Sequence, residues 1–308
     1  MGSSFPINIL FSLLILILVA LVISSRFTYL LLRPKAISLS ESVKNEIQKG
    51  WMNPQAFASL NRISFNITSR FGYQLYGEWI QTGQSMKTII LSHGISSNRY
   101  GMIRYLKLFQ ELGFNIVIYD MRGHGASGGN HVTYGYYEKY DLKSLVDWVI
   151  EKHGAQNIIG TMGISLGAAV SLQHAGIDSR IAFIISEASF ADLTNLLIYR
   201  LKKDYHLPQF PFIPLTSLFC RIISGMDLNQ VSPTSSSVLI HSPTLVIHGE
   251  ADQYIPPKMS LEIFNSLATS QKRLYLATGA GHSHSLSTDP KEYKRQVTSF
   301  FDLIKVPY

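Results

Sequence analysis

NIIGTMGISLGAAVSLQHAG, residues 157–176, decides how the rest of the chain is read. A short apolar run breaks into Gly-Ile-Ser-Leu-Gly and continues as a stretch of small and apolar residues at helical spacing, so Ser165 stands at a strand-to-helix turn. Gly163 and Gly167 permit a sharp turn and close packing of the helix, which leaves the serine side chain presented at the helix N-terminus. The N–H of Leu166, the next residue, points into the same space and suits a developing oxyanion. The pentapeptide alone is common, and a purely structural turn explains it equally well. Its surroundings therefore decide between a nucleophile and a turn.

Outward from this stretch the chain keeps one rhythm. The apolar runs MKTIILSHG, FNIVIYD, IAFIISE, TLVIHG and LYLATG alternate with amphipathic stretches such as YLKLFQELG, YEKYDLKSLVDWVIEKHG and DPKEYKRQVTSFFDLI. Strands apolar on both faces and separated by helices predict an α/β fold with a mostly parallel, doubly wound sheet. Ahead of them RISFNIT and YQLYGEWI alternate apolar and polar residues, which predicts an antiparallel hairpin turning at RFG. With 308 residues, 46% of them hydrophobic, the chain can bury a sizeable core. No internal repeat is visible, and SPTSSS at 232–237 reads as a loop.

In such sheets the loops leaving the C-terminal ends of the strands build the site. A serine hydroxyl needs a base, and the base an orienting acid. For a serine on this kind of turn the partners follow in the order acid, then histidine. Asp252 in TLVIHGEADQYIPP and His282 in LYLATGAGHSHS each follow a strand, in that order. Glu250 and Asp192 compete with Asp252, and His284 with His282; the flexible GAG before His282 favours it. After the strand at 86–92, LSHGISSNRY places the N–H of Ile95 where a second oxyanion donor is expected. His93 precedes Ser165 in the chain and reads as structural. So do Asp120, Arg122 and His124 of YDMRGHGASGG, as buried polar groups of a Gly-rich turn. No His/Cys/Glu spacing suggests a metal and no Gly-rich loop suggests a phosphate, so neither metal nor cofactor is expected.

Taken together, HGISSNR, YDMRGHGASGG, GISLG, HGEADQYIP and GAGH resemble the α/β-hydrolase superfamily, especially its serine aminopeptidase (S33) and lysophospholipase-like branch. The stretch from SHGISSNRYGMIRYLKLFQ through TYGYYEKYDL is similar to N-terminally membrane-anchored hydrolases of Gram-positive bacteria. The likeness spans about residues 60 to 305. It implies that Ser165 is the nucleophile, Asp252 the acid, His282 the base, and the N–H groups of Ile95 and Leu166 the oxyanion hole. It does not imply a substrate, since this fold hosts many reactions.

The N-terminus carries a separate signal. INILFSLLILILVALVISS, residues 7–25, has no charge and the length of a membrane-spanning helix. The preceding MGSSFP lacks the basic n-region of a cleaved signal peptide and no cleavage site follows, so a permanent anchor over 1–34 is expected. Arg26, Arg33 and Lys35 follow the span, which predicts a single-pass cell-membrane protein with its catalytic domain in the cytoplasm. A linker over 35–59 holds a short helix capped by Ser38 and Glu41, whose Val43 and Ile47 face either the domain or the membrane.

The hydrolase domain is expected over 60–308, with a small helical cap at about 191–231 that is rich in Leu, Ile and Phe. Such a cap suits an acyl ester or lipid-like substrate. An aminopeptidase would want a carboxylate for the substrate ammonium, for which Glu187, Asp192 and Asp204 are candidates. A tethered hydrolase-fold module that binds without turnover is a further reading. The net charge of +7 is spread without a basic block, which argues against a nucleic-acid partner; protein partners are not legible. Cys220 is the single cysteine, so an intramolecular disulfide is excluded.

Overall fold

The computed structural model describes residues 4–306; Met1–Ser3 of the leading MGSSFP and residues 307–308 lie outside them. The strands are β1 (Arg62–Thr68), β2 (Gln74–Ile80), β3 (Lys87–Ser92), β4 (Asn115–Tyr119), β5 (Ile158–Ile164), β6 (Phe183–Glu187), β7 (Thr244–Gly249) and β8 (Lys272–Ala277). They form one sheet in the order β1-β2-β4-β3-β5-β6-β7-β8. β1 and β2 make the expected antiparallel hairpin, with Arg62 opposite Ile80 and Thr68 opposite Gln74, and β2 pairs antiparallel with β4. All remaining pairs are parallel.

The helices are α1 (Ser4–Leu32), α2 (Leu39–Gln48), α3 (Pro54–Ser59), α4 (Leu106–Glu111), α5 (Glu138–His153), α6 (Leu166–Ala175), α7 (Leu193–Tyr205), α8 (Phe212–Ser224), α9 (Pro233–Ser237), α10 (Lys258–Ser266), α11 (Ser285–Thr288) and α12 (Pro290–Ile304). The doubly wound reading follows from how the strands distribute their side chains. Ile90, Val117 and Tyr119 enter a core shared with α5, α6 and α10. Their neighbours Ile89, Leu91, Ile116 and Ile118 enter a second core on the opposite face, shared with α4 and α12. Phe183 and Phe301 meet edge-on at 4.9 Å in that second core. Burial on both faces is why these strands are continuous apolar runs.

Between β6 and β7 the chain leaves the sheet to form α7 and α8, which occupy the segment 191–231 where a cap is expected. SPTSSS differs from its reading as a loop. Pro233 opens α9, and the Ser232 side chain accepts the N–H of Ser235, satisfying a helix-start donor. One short turn this polar is held by its buried neighbours rather than by its own propensity.

Helix α1 contains the one segment among the described residues long and apolar enough to cross a membrane, Asn8–Leu32. Its C-terminal end is not a free tether. Leu32 is buried in the first core, and its carbonyl accepts the N–H of Val132 at 2.9 Å. The following linker crosses the loop after β3: the Ile37 N–H donates to Ser96 O at 3.1 Å, and the Asn98 amide donates to Ile37 O and Ser38 O.

In α2 the Ser38 hydroxyl caps by accepting the Glu41 N–H at 3.1 Å. Val43 packs against the second core, so this helix rests at least one face on the domain. Glu46, 3% exposed, receives Arg104 at 2.5 Å. Removing one partner of such a buried pair strands the other charge, at a cost of about 3–5 kcal/mol. Glu46→Ala is therefore expected to destabilise the protein by about that amount. Glu46→Leu combined with Arg104→Met should recover most of the loss in thermal denaturation.

Candidate active site

The turn at residues 163–167 is built by crowding. A Cβ on Gly163 would lie 2.1 Å from the Gly167 carbonyl, and one on Gly167 would lie 2.1 Å from Ser92 O at the end of β3. Only hydrogens fit there, so α6 approaches the sheet closely enough to force Ser165 to φ 54°, ψ −113°. For a residue with a Cβ this backbone costs of order 1–3 kcal/mol. It is held by the Ser165 N–H donating to Glu187 O at 2.8 Å and by the Ala169 N–H donating back to Ser165 O.

The structure brings Ser165, His282 and Asp252 into one line. His282 Nε2 lies 3.0 Å from Ser165 Oγ, and His282 Nδ1 lies 2.7 Å from Asp252 Oδ2. A carboxylate only accepts, so Nδ1 carries the ring proton and Nε2 is left to accept the serine hydroxyl. Ser165 is 5% exposed, yet it lines a cavity of about 310 Å³ together with Gly94, Ile95, Ser96, Tyr254 and His282.

Asp252 is held more completely than its sequence position suggested. Its Oδ1 accepts the N–H groups of Tyr254 and Ile255 at 2.8 and 2.9 Å. Its Oδ2 receives His248 Nε2 at 3.1 Å as well as His282. Burial alone would raise this carboxyl, but hydrogen bonds from His248, His282 and the Ile255 N–H outweigh it and hold it well below the usual carboxylate range. His248 is the residue the sequence reading missed. It lies at the end of β7, fully buried, with its other ring nitrogen 2.6 Å from the Ser260 hydroxyl. The HG of HGEADQYIP was its only signal, and a lone histidine at the end of an apolar strand has no distinguishing pattern.

The competing residues lie elsewhere in their chemistry. Glu250 is exposed. Asp192 accepts the Asn195 N–H as the cap of α7. His284 is exposed at the start of α11, its carbonyl accepting the Ser287 and Thr288 hydroxyls. His93 spends both nitrogens on backbone, with Nδ1 donating to Gly94 O and Nε2 accepting from the Met121 N–H. Burial and the neighbouring His124 push its pKa well down, so it stays neutral.

Asp120 accepts the N–H groups of Arg99 and Ala126 and pairs with the Arg99 guanidinium. Arg122 lies over the Tyr137 and Tyr73 rings, and His124 donates to Arg122 O. These groups tie the loop after β4. Burial pushes the Cys220 thiol up to about 12, far from a reactive thiolate. Among the described residues no group of three or more His, Cys, Asp or Glu is arranged to hold a metal ion.

The two residues expected to supply oxyanion donors both adjoin the serine: Leu166 follows it in the chain, and Ile95 lines the same cavity. Leu166 is the first residue of α6, so its N–H has no acceptor within the helix. Ile95 belongs to the turn after β3, where an ideal Cβ on the preceding Gly94 would stand 3.7 Å from the Ser165 Cβ. A strained serine, a histidine with an acceptor nitrogen and a charged carboxylate behind it are the arrangement that acyl transfer requires.

Comparison with known proteins places this geometry in a lineage. The family model for X-Pro dipeptidyl-peptidases (S15 family) matches residues 43–213. The uncharacterized protein YqkD of Bacillus subtilis is 32% identical over 278 residues, covering 90% of this chain and 91% of its own. The uncharacterized protein YfhR of Escherichia coli is 28% identical over 255 residues, covering 77% and 79%. Among solved structures, the Pyrococcus furiosus esterase Pf2001 superposes with a TM-score of 0.68 at 25% identity, over 82% of this chain and 94% of the esterase. The matching model is S15; these likenesses do not single out the S33 branch.

Two measurements test the geometry. Ser165→Gly relieves the positive φ at a smaller cost in unfolded-state entropy, for a net gain of about 1 kcal/mol. Its melting temperature should rise, while Ser165→Ala, which keeps a Cβ, should not share the gain. For Asp252 the folded-state pKa lies below the unfolded value of about 3.9. Its stabilising contribution is complete above that pH and is lost as pH falls through the folded value. Asp252→Asn should therefore show a shallower loss of stability below about pH 4 than wild type, by the slope of one proton.

Proposed function

The chain belongs to the X-Pro dipeptidyl-peptidase (S15) family of α/β hydrolases, and from that premise we propose that it is a membrane-anchored serine hydrolase that cleaves carboxylic esters through an acyl-enzyme. The observation that carries this reading is the Ser165–His282–Asp252 line, with its 3.0 and 2.7 Å spacings, at a cavity walled by Ile95 and Tyr254.

In this mechanism His282 Nε2 takes the Ser165 proton as Oγ attacks the acyl carbon. The tetrahedral oxygen is stabilised by the N–H groups of Ile95 and Leu166, each donor being worth about 10²–10³ in rate. Collapse breaks the acyl–oxygen bond, and the imidazolium returns its proton to the departing alcohol. Water then attacks the acyl-serine with His282 again as base, releasing the acid and restoring Ser165. Asp252 stays ionised and stabilises the imidazolium, with His248 as a positioning residue behind it.

Ester over amide is favoured by the fate of the nearby carboxylates. Glu187 is buried and accepts the hydroxyls of Tyr105 and Tyr293, Asp192 caps α7, and Asp204 is paired with Arg200 at 2.6 Å. None of the three lines the cavity that holds Ser165 and His282, where a substrate ammonium group would need its partner. The likeness to the P. furiosus esterase supports the same choice. The S15 match favours a second reading, cleavage of an aminoacyl amide, although it ends at residue 213, before Asp252 and His282. The charges following the apolar span, Arg26, Arg33 and Lys35, support a cytoplasmic catalytic domain.

A fluorophosphonate probe should label Ser165 of the full-length protein, and Ser165→Ala should lose both labelling and at least 10³-fold of ester turnover without loss of folding. Acyl esters run beside Xaa-Pro anilides decide between the two readings. Failure of wild-type Ser165 to react with the probe would replace both with a non-catalytic binding role.

A further inference from the structure

Ile95, Ser96 and Tyr254 are shared walls. They line the cavity holding Ser165 and His282, and they also line a second cavity of about 300 Å³. That size lies at the lower end of small-molecule pockets. One side of the second cavity is the cap, through Leu196, Leu197 and Leu201. The facing side is α1, through Phe27, Leu30 and Leu31. The helix that is apolar enough to span a membrane thus supplies one wall of a pocket that adjoins the serine. The wall is fixed in place: the Phe27 ring meets Tyr205 edge-on at 4.9 Å, and the Tyr134 hydroxyl donates to Leu31 O. Arg200, paired with Asp204 and lying 4.2 Å from the centre of the Tyr254 ring, supplies with Asp204 the charged feature of a lining made mainly of aliphatic and aromatic side chains.

The position of the cap along α1 says where this pocket opens. Ala20 is buried against Leu201 and Phe212, with Ile23 and Leu207 packed beside them. Arg26 is the first charge of the chain. Arg26 lies six positions beyond Ala20, about 9 Å of helix at roughly 1.5 Å per residue. If Arg26 marks the edge of the hydrocarbon, the tip of the cap between α7 and α8 reaches below that edge. The tip is suited to it, since Phe210 there is 74% exposed and Leu218 of α8 is also exposed.

We infer that the second cavity receives the acyl chain of a membrane-resident lipid ester, which enters from the bilayer beside α1 and presents its ester carbonyl to Ser165 past Tyr254. The anchor is then part of the substrate site and not only a tether. This rests on the ester-hydrolase reading above, and the occupant is the acyl chain of a bilayer lipid rather than of a dissolved ester.

The test uses the full-length protein in phosphatidylcholine vesicles. p-Nitrophenyl laurate dissolved in the bilayer is the long-chain substrate, and p-nitrophenyl acetate in the aqueous phase is the short one. Leu30→Trp fills the cavity from the anchor side at a half-exposed position, and Leu197→Trp fills it from the cap side. Each is expected to lower laurate turnover at least tenfold and to leave acetate turnover and fluorophosphonate labelling within twofold of wild type. A diazirine-bearing lauroyl lipid in the same vesicles should crosslink to residues 27–31 and 193–201. If labelling persists but laurate and acetate change together in both variants, and crosslinks fall outside those segments, the inference is overturned. If Ser165 does not react with the probe while the crosslinks appear, the hydrolase reading fails and the lipid pocket stands. Laurate turnover equal in vesicles and in detergent monomers, with no crosslinks, would also overturn it by assigning the pocket to dissolved esters.

Discussion

The close approach of α6 to the ends of β3 and β5 is the constraint on which the rest of the site depends. Gly163, Gly167 and the Ser92 carbonyl are packed so tightly that no side chain fits between them. That contact forces the positive φ at Ser165 and starts α6 directly after the serine, where the Leu166 N–H has no acceptor within the helix. The His282 loop then has only to cover the serine, and Asp252 to hold the ring from behind. The strain at Ser165 is sustained because the surrounding sheet is buried on both faces and cannot relax.

The electrostatics follow from the same placement. Asp252 is buried in the turn after β7, where desolvation alone would raise its pKa. Two backbone donors and two histidines reverse that outcome, so the carboxylate that orients His282 is charged across the physiological range. His248 is committed on both nitrogens, to Ser260 and to the Ile255 and Asp252 oxygens. The relay therefore rests on a hydrogen-bonded layer rooted in the core and not on the loop alone.

The N-terminal helix belongs to this architecture more closely than its composition suggests. Its last turns contribute Leu32 to the main core and Phe27 and Leu31 to a cavity beside the site. The linker that follows hydrogen-bonds to Ser96 and is gripped by Asn98, both in the loop that carries Ile95. A displacement of the N-terminal helix would be felt first at that loop, because the backbone of Ile37 is part of its support.

Much of this was legible in the chain itself. The doubly wound sheet and the hairpin of β1 and β2 could be read because strands buried on both faces are continuous apolar runs, whereas the edge strand β1 keeps one face half-exposed and alternates. The order of Ser165, Asp252 and His282 could be read because each follows a strand, and strand ends are where this topology gathers its loops. What the chain could not announce depends on contacts between residues far apart in it. The choice among Asp252, Glu250 and Asp192 turned on which carboxylate is turned inward to meet His282. His248 carries no motif of its own, since its role exists only once β7 is laid beside the Asp252 turn. The short helix at Pro233–Ser237 is stabilised by what it packs against and not by its polar residues. Periodicity and chain order are local properties, so the sequence by itself determined the architecture and the names of the residues at the strand ends. Hydrogen-bond partners and cavity walls are set by packing across the sheet, so only the tertiary structure decided which of those residues meet and that the N-terminal helix stands among them.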